Sequence, residues 1–279
     1  MRHFLRRFLA HKGAAFGTFV LLGVVLIAAF ASVLYDQSPW MMVAQPLIPP
    51  FTDPAHPFGT DMLGRDIGAG LVFGTRVSLL IAVVSTAMAV LIGVLTGAVS
   101  GYYGGWVDDL LMRWTEFFQT IPQLAMALVL VAIFTPSVYS IVGAIAVVSW
   151  PPVARLVRSE FMTLKEREFT QAAIVIGQRP SRIIFTQILP NAVSPIIVTA
   201  SLMTATAILT ESALSFLGLG DHDLMSWGFM IGAARTMLRD APWMSVWPGV
   251  AILLAVLAIN LVGEGLNDAL NPQLRKRGE

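Results

Sequence analysis

Five long intervals of this chain carry no charged residue, and no feature constrains its fold more. A helix of roughly 20 apolar residues crosses a bilayer core of about 30 Å. The interval between Lys12 and Asp36 gives a span over Ala14–Leu34, and that between Arg76 and Asp108 a span over Val77–Gly101. The interval from Glu116 to Arg155 is too long for one helix. Thr135-Pro136-Ser137 divides it into a span ending near Phe134 and another from Val138 to about Val157. The interval from Arg182 leads to a fifth span over about Asn191–Leu217, with Glu211 inside it, and that after Asp240 to a sixth over about Ser245–Leu266. The expected fold class is an all-α polytopic membrane protein with six transmembrane helices.

Lys and Arg in the connections set the orientation. With the N-terminus cytoplasmic, fourteen of the eighteen basic residues fall inside and four, Arg65, Arg76, Arg235 and Arg239, fall outside. Both termini are therefore expected in the cytoplasm, and the formal net charge of +1 conceals this asymmetry. Arg6 and Arg7 before an apolar run, with Ala29-Phe30-Ala31 after it, also match a cleavable leader. The run exceeds the ~7–15 residues of such a leader's apolar region, which favours an uncleaved first span. The chain then divides into a tail at 1–13, a first helix with an outside loop at 14–76, a helical core at 77–270 that includes an inside segment at 158–190, and a basic tail at 271–279.

Charged residues make up 13% of the chain, about half the share usual in soluble domains, which excludes an ordinary soluble enzyme. With no Cys there is no disulfide scaffold and no thiolate chemistry. The three Lys follow His11, Leu164 and Arg275, so no Gly-Lys dipeptide and no phosphate-binding P-loop exists. No His-Glu-x-x-His or Gly-x-Ser-x-Gly is found, and the four His show no metal-ligand spacing. No metal site and no catalytic residue is expected.

The outside loop is rich in Pro and reads as a packed external cap, with Asp61 and Asp66 suited to N-cap positions. On the second span Ser85, Ala89, Gly93, Gly97 and Gly101 lie four apart and form one small-residue stripe. Such a face lets another helix approach closely. The stripe fits packing better than lipid exposure and leaves the partner open, in this chain or another. After the fifth span, Trp227–Leu238 reads as an amphipathic segment at the outer surface, with Trp227, Trp243 and Trp247 as interface aromatics.

The inside segment of about Arg158–Leu189 is longer than a connection needs. Leu164–Ile176 reads as a helix whose Phe169, Ala172, Ala173 and Ile176 share an apolar face. Gly177 suits its end, and Pro180 opens a second helix leading through Arg182, Ile183, Ile184 and Ile188 to Leu189-Pro190. The small Ala172 and Ala173 favour docking into a protein groove over lying in the headgroup layer. Two acids fall within spans. Glu116 either pairs with Arg113, three residues away, or lines a path for a polar solute together with Gln119. Glu211 fits a path or a subunit interface. Glu264 and Asp268 lie near the inner exit of the last span.

These residues resemble the membrane-spanning C-type permease subunit of dipeptide/oligopeptide/nickel ABC importers, over nearly the whole chain after the first span. The loop motif His56-Pro57-Phe58-Gly59-Thr60-Asp61 with Gly64-Arg65-Asp66 is similar to that subfamily's. So are Arg76-Val77-Ser78-Leu79-Leu80, Gly101-Tyr102-Tyr103-Gly104-Gly105, Leu214-Ser215-Phe216-Leu217-Gly218-Leu219-Gly220, Trp247-Pro248-Gly249 and Asn260-Leu261-Val262-Gly263-Glu264-Gly265-Leu266-Asn267-Asp268. The segment Gln171-Ala172-Ala173, Gly177, Ile188-Leu189-Pro190 resembles the family's EAA coupling loop, with Gln171 where the family has Glu.

The resemblance implies a type I importer (MetI-like) permease fold in a bacterial inner membrane. It implies a second, B-type permease subunit, two ATPase subunits that carry ATP and Mg, and a periplasmic solute-binding protein, with no cofactor and no nucleic acid on this chain. It places ATPase coupling on Phe169, Gln171, Ala172, Ala173, Gly177, Leu189 and Pro190, and reception of solute on the loop around Asp61, Arg65 and Asp66. A self-sufficient secondary transporter or channel is the alternative. It would need a repeat or broken helices around a midplane site, and no clear internal repeat is present. A membrane enzyme is disfavoured by the absent catalytic groups.

Overall fold

The computed structural model describes residue 8 and residues 11–270. Arg2, Arg6 and Arg7 and the tail at 271–279 lie outside the described residues. Helices account for the fold, and among the described residues no strand forms beyond two isolated bridges, Met42 with Arg65 and Thr60 with Asp66. In chain order they are α1 (Lys12–Ala29), α2 (Ile67–Tyr103), α3 (Gly105–Thr120), α4 (Gln123–Ile133), α5 (Val138–Lys165), α6 (Glu168–Val175), α7 (Pro180–Leu219), α8 (Trp227–Ala234) and α9 (Trp243–Leu270). A single turn, Ala31–Leu34, follows α1. Five of these, α1, α2, α5, α7 and α9, are long and apolar enough to cross a membrane, and α3 with α4 makes a sixth only as a bent pair.

The bend corrects the expectation of one continuous third span. Helices α3 and α4 meet at 86° across Ile121-Pro122. Proline drives the residue before it out of the helical region, and Ile121 is extended at φ −93°, ψ 131°. The 11 residues of α4 rise only about 16 Å, half the bilayer core.

Helix α2 starts at Ile67, ten residues before the expected Val77, and spans 37 residues. Arg76, read as a boundary, sits inside it. Its guanidinium donates to the Ala28 carbonyl, to the Ala29 carbonyl at 2.9 Å and to Ser32 Oγ at 2.9 Å. These carbonyls at the end of α1 have few partners within their own helix, so the arginine caps α1 while lying in α2.

The small-residue stripe packs inside this chain. Ser85, Ala89, Gly93, Gly97 and Gly101 are all buried, against α5. A Cβ on Gly93 would lie 2.5 Å from Val153 Cβ, one on Gly97 would strike the Ala154 carbonyl, and one on Gly101 would lie 2.7 Å from the Arg158 carbonyl. The four-residue step on α2 is matched by a four-residue step on α5, which makes this helix pair the spine of the molecule. Helix α9 packs on α1 and α7 around it.

The external cap closes one end of the bundle, where Trp40 and Phe58 pack with α8 and with Trp243 and Trp247 at the start of α9. Trp227 is not an interface aromatic. It is 2% exposed, and its Nε1 donates to the Leu71 carbonyl of α2 at 3.0 Å. The small residues of α8 let its first turn press into the core, which carries Trp227 inward.

Candidate coupling surface and membrane path

At the end of the bundle opposite the cap, the chain leaves α5 at Lys165, turns through Glu166-Arg167, forms α6 and returns in α7. The expected single helix from Leu164 to Ile176 is therefore two, separated by extended Arg167. Thr170 and Ala173 hold α6 to the bundle. The Thr170 hydroxyl donates to the Leu164 carbonyl at 2.8 Å. Ala173 packs in an apolar cluster with Val157, Phe161, Ile183, Ile184 and Ile188. Of the face read from sequence, only Ala173 points inward, while Phe169, Ala172 and Ile176 are exposed. Val175, 84% exposed, completes the outward apolar surface.

Gly177 ends α6 at φ +76°, a conformation that strains residues with a Cβ. Its N–H donates to the Ile174 carbonyl at 2.9 Å, and Gln178 N–H donates to the Ala173 carbonyl at 3.1 Å. This paired closure is a Schellman motif, and it sets the angle at which the chain leaves the helix. The Gln171 amide donates to the Lys165 carbonyl at 2.9 Å, so this side chain caps α5 from the next helix. A carboxylate there could not donate. Leu189 is half-buried and Pro190 exposed, both within α7, which runs on without a break through a wide turn at Ile184–Ile188.

In the cap, Asp66 is the N-cap of α2, its Oδ1 accepting from Gly68 N at 2.6 Å and Ala69 N at 3.2 Å. Its Oδ2 lies 2.8 Å from His56 Nδ1. Burial, and then the nearby negative Asp66, push the Tyr35 phenol above its ordinary value. Asp61 caps no helix. Its Oδ1 accepts from Leu63 N at 2.8 Å and Arg65 N at 2.9 Å, which closes a turn. The Arg65 guanidinium lies over the Trp40 ring at 4.9 Å, so Asp61, Arg65 and Asp66 hold the cap's own shape.

The two span acids lie apart. Glu116 is exposed on α3 and forms no ion pair with Arg113 among the described residues. It lines a cavity of about 360 Å³ with Asp108, Asp109, Met112, Arg113, Arg155 and Arg158. Gln119, half-buried, is one turn on. Glu211 is 1% exposed and lies within the chain, not on a path or interface surface. Its Oε1 accepts from Ser215 Oγ at 2.9 Å and Ser226 Oγ at 2.7 Å. It thus ties the end of α7 to the start of α8. The residue types that put a carboxylate into an apolar span here serve a helix corner.

Sequence reasoning missed one pair. Arg158 on α5 grips Asp108 on α3, with Nε to Oδ1 at 2.6 Å and Nη2 to Oδ2 at 2.5 Å, and Ser100 Oγ on α2 donates to the same carboxylate at 2.5 Å. The signal was present in part, since Asp108 follows the end of α2 and Arg158 lies near the end of α5, the two helices that the stripe joins. Without the partner of the stripe they could not be paired.

Comparison with known proteins places this arrangement. Residues 89–276 match the model of the binding-protein-dependent transport system inner membrane component, and residues 1–54 match that of the N-terminal TM domain of oligopeptide transport permease C. The dipeptide transport system permease protein DppC of Alkalihalophilus pseudofirmus is 40% identical over 95% of this chain and 87% of its own length. The oligopeptide transport system permease protein OppC of Bacillus subtilis is 37% identical over 97% and 88%. The glutathione transport system permease protein GsiD of Pectobacterium atrosepticum is 39% identical over 98% and 91%.

Among solved structures, the inward-facing MetNI methionine ABC transporter superposes with a TM-score of 0.59 at 18% identity, covering 72% of this chain and 96% of that one. An amino acid ABC transporter with histidines gives 0.57 at 14%, covering 73% and 95%. Both show the MetI-like fold. The spans, the bent pair and the family match over most of the length agree, and the chain belongs to the inner membrane components of binding-protein-dependent ABC importers, as a permease subunit.

Proposed function

We propose that this chain forms half of a two-subunit path that imports dipeptides or oligopeptides, and that it is driven through the 158–190 segment by ATPase subunits on other chains. The observation that carries this reading is the outward apolar surface of α6, with Phe169, Ala172, Val175 and Ile176 exposed while Ala173 and Gly177 fix the helix in place. It is a rigid surface at the end of a helical bundle, in a chain with no P-loop. ATP and Mg therefore sit on the two partner ATPases, and this chain holds no cofactor and no nucleic acid. Gln171, bonded to the Lys165 carbonyl, and Leu189, packed on the cluster that holds Ala173, brace the same surface, and Pro190, exposed on α7, is assigned to it as well.

The second, B-type permease subunit supplies the other wall of the path. The cap around Asp61, Arg65 and Asp66 receives solute from a periplasmic binding protein. Glu116 and Gln119, on the polar side of α3, line the inner half of the path. Both termini lie in the cytoplasm. The names of the relatives, dipeptide, oligopeptide and glutathione permeases, support a peptide as solute.

Thermal-shift screening of the cognate binding protein against peptides, metal chelates and sugars tests the solute. Stabilisation by peptides is expected, and stabilisation by a sugar alone would overturn the peptide reading. Proteoliposomes holding the permease pair without ATPase subunits are expected to show no solute accumulation. Ion-driven accumulation there would overturn the division of labour.

A further inference from the structure

We propose that the Asp108–Arg158 pair is the joint that carries motion from the α6 surface into the broken α3–α4 element, making these two side chains positioning residues for transport. The proposal rests on the reading of α6 as a docking surface. Arg158 stands seven residues before the end of α5, and α5 leads directly into α6 through Glu166-Arg167. A displacement of α6 is passed along this helix as along a short rod. At Arg158 it crosses to α3 through two parallel hydrogen bonds to one carboxylate, and a bidentate guanidinium–carboxylate contact fixes orientation as well as distance. Ser100 anchors the same carboxylate to α2, where Gly101 packs on the Arg158 carbonyl.

Helix α3 is built to follow such a pull. It joins α2 through Gly104 and Gly105, with φ of +64° and +55°, and joins α4 through extended Ile121 before Pro122. Neither end continues a neighbouring helix in line. Between α3 and α5 lies the cavity of about 360 Å³, and its other charged residues, Asp109, Arg113, Glu116 and Arg155, form no ion pair among the described residues. Among the described residues the Asp108–Arg158 contact is the one ion pair that bridges the charged walls, so the polar side of α3, with Glu116 on it, is steered through that contact. Farther along α3, the Phe118 and Trp150 rings meet at 5.5 Å and complete the attachment to α5.

The chain has no Cys, so an introduced cysteine pair is the only one it carries, and the partner subunits are used in cysteine-free form. Spin labels at Leu110 on α3 and Met162 on α5, both exposed, are read by pulsed electron resonance in the assembled complex, nucleotide-free and trapped with ATP and vanadate. The expected result is one narrow distance distribution, unchanged between the two states. It is expected to broaden in D108N and in R158Q, and to narrow again in D108R/R158D. The proposal is overturned if the wild-type distance changes on trapping, if D108N and R158Q keep the narrow distribution, or if the exchanged pair stays as broad as the single variants. In proteoliposomes holding the full complex, D108N and R158Q are expected to keep ATP hydrolysis and lose uptake, and D108R/R158D to regain uptake; wild-type uptake in the single variants would leave the pair a static bridge and overturn the proposal. Co-purification of the ATPase subunits with V175D judges the docking reading separately: retention there defeats docking, while the label distances still judge the joint.

Discussion

Single residues divide the 158–190 segment into a support and a surface. Gly177 is support. At φ +76° any other L-residue pays about 1–2 kcal/mol, although the space around it is open. G177A is therefore expected to loosen the exit of α6 and lower uptake, with the ATPase subunits bound more weakly in co-purification. Val175 is surface, and V175D is expected to abolish ATPase co-purification while leaving the thermal stability of the permease pair unchanged. Ala173 is buried, so A173D acts by placing a charge in the apolar cluster and is expected to reduce the amount of folded protein. Glu211 is the other residue whose role its burial decides. E211A removes the acceptor of two serine hydroxyls and is expected to cost about 1–3 kcal/mol, seen as a lower melting temperature in detergent, whereas E211Q keeps a carbonyl oxygen and costs less. Equal melting of the two variants would show that the serine contacts carry no stability.

Among the elements, the α2–α5 spine makes the sharpest stability prediction. G97V places bulk against the Ala154 carbonyl and Val157 and is expected to cost about 1–3 kcal/mol or more, read as loss of monodisperse protein and a lower melting temperature. Gly23 and Gly249 have open space where a Cβ would sit, so G23A and G249A are expected to melt as wild type. This spine was half legible in the sequence. The four-residue spacing of small residues declares a close helix contact, but a stripe on one helix does not name the helix that fills it. The fifth and sixth spans were legible because charge-free length is a local property. The break in the third was not, since Pro122 lies inside an apolar interval and hydropathy alone does not register it. The start of α2 was hidden for the opposite reason. Arg76 reads as a polar boundary, yet its charge is satisfied by the carbonyl end of α1, a contact across 48 positions. Glu211 likewise could be placed in a span by sequence, but only the fold brings Ser226 to it.

For the whole molecule the open quantity is its direction across the membrane, and the charge distribution makes a definite prediction. Most Lys and Arg among the described residues fall in segments on the α6 side of the bundle, and positively charged connections stay in the cytoplasm during insertion. The cap at the opposite end then faces the periplasm, where a binding protein reaches it, and α6 faces the ATPases. A chain inserted the other way would present its docking surface to a compartment without ATP, so orientation and function stand together. Because the chain lacks Cys, single-cysteine variants at Phe51 in the cap and Val175 on α6, both strongly exposed, test it directly. In spheroplasts of a strain lacking the ATPase subunits, which would otherwise cover Val175, a membrane-impermeant maleimide is expected to label F51C at once and V175C only after permeabilisation. Labelling of V175C in intact spheroplasts with protection of F51C would invert the molecule and remove the coupling role of the 158–190 segment.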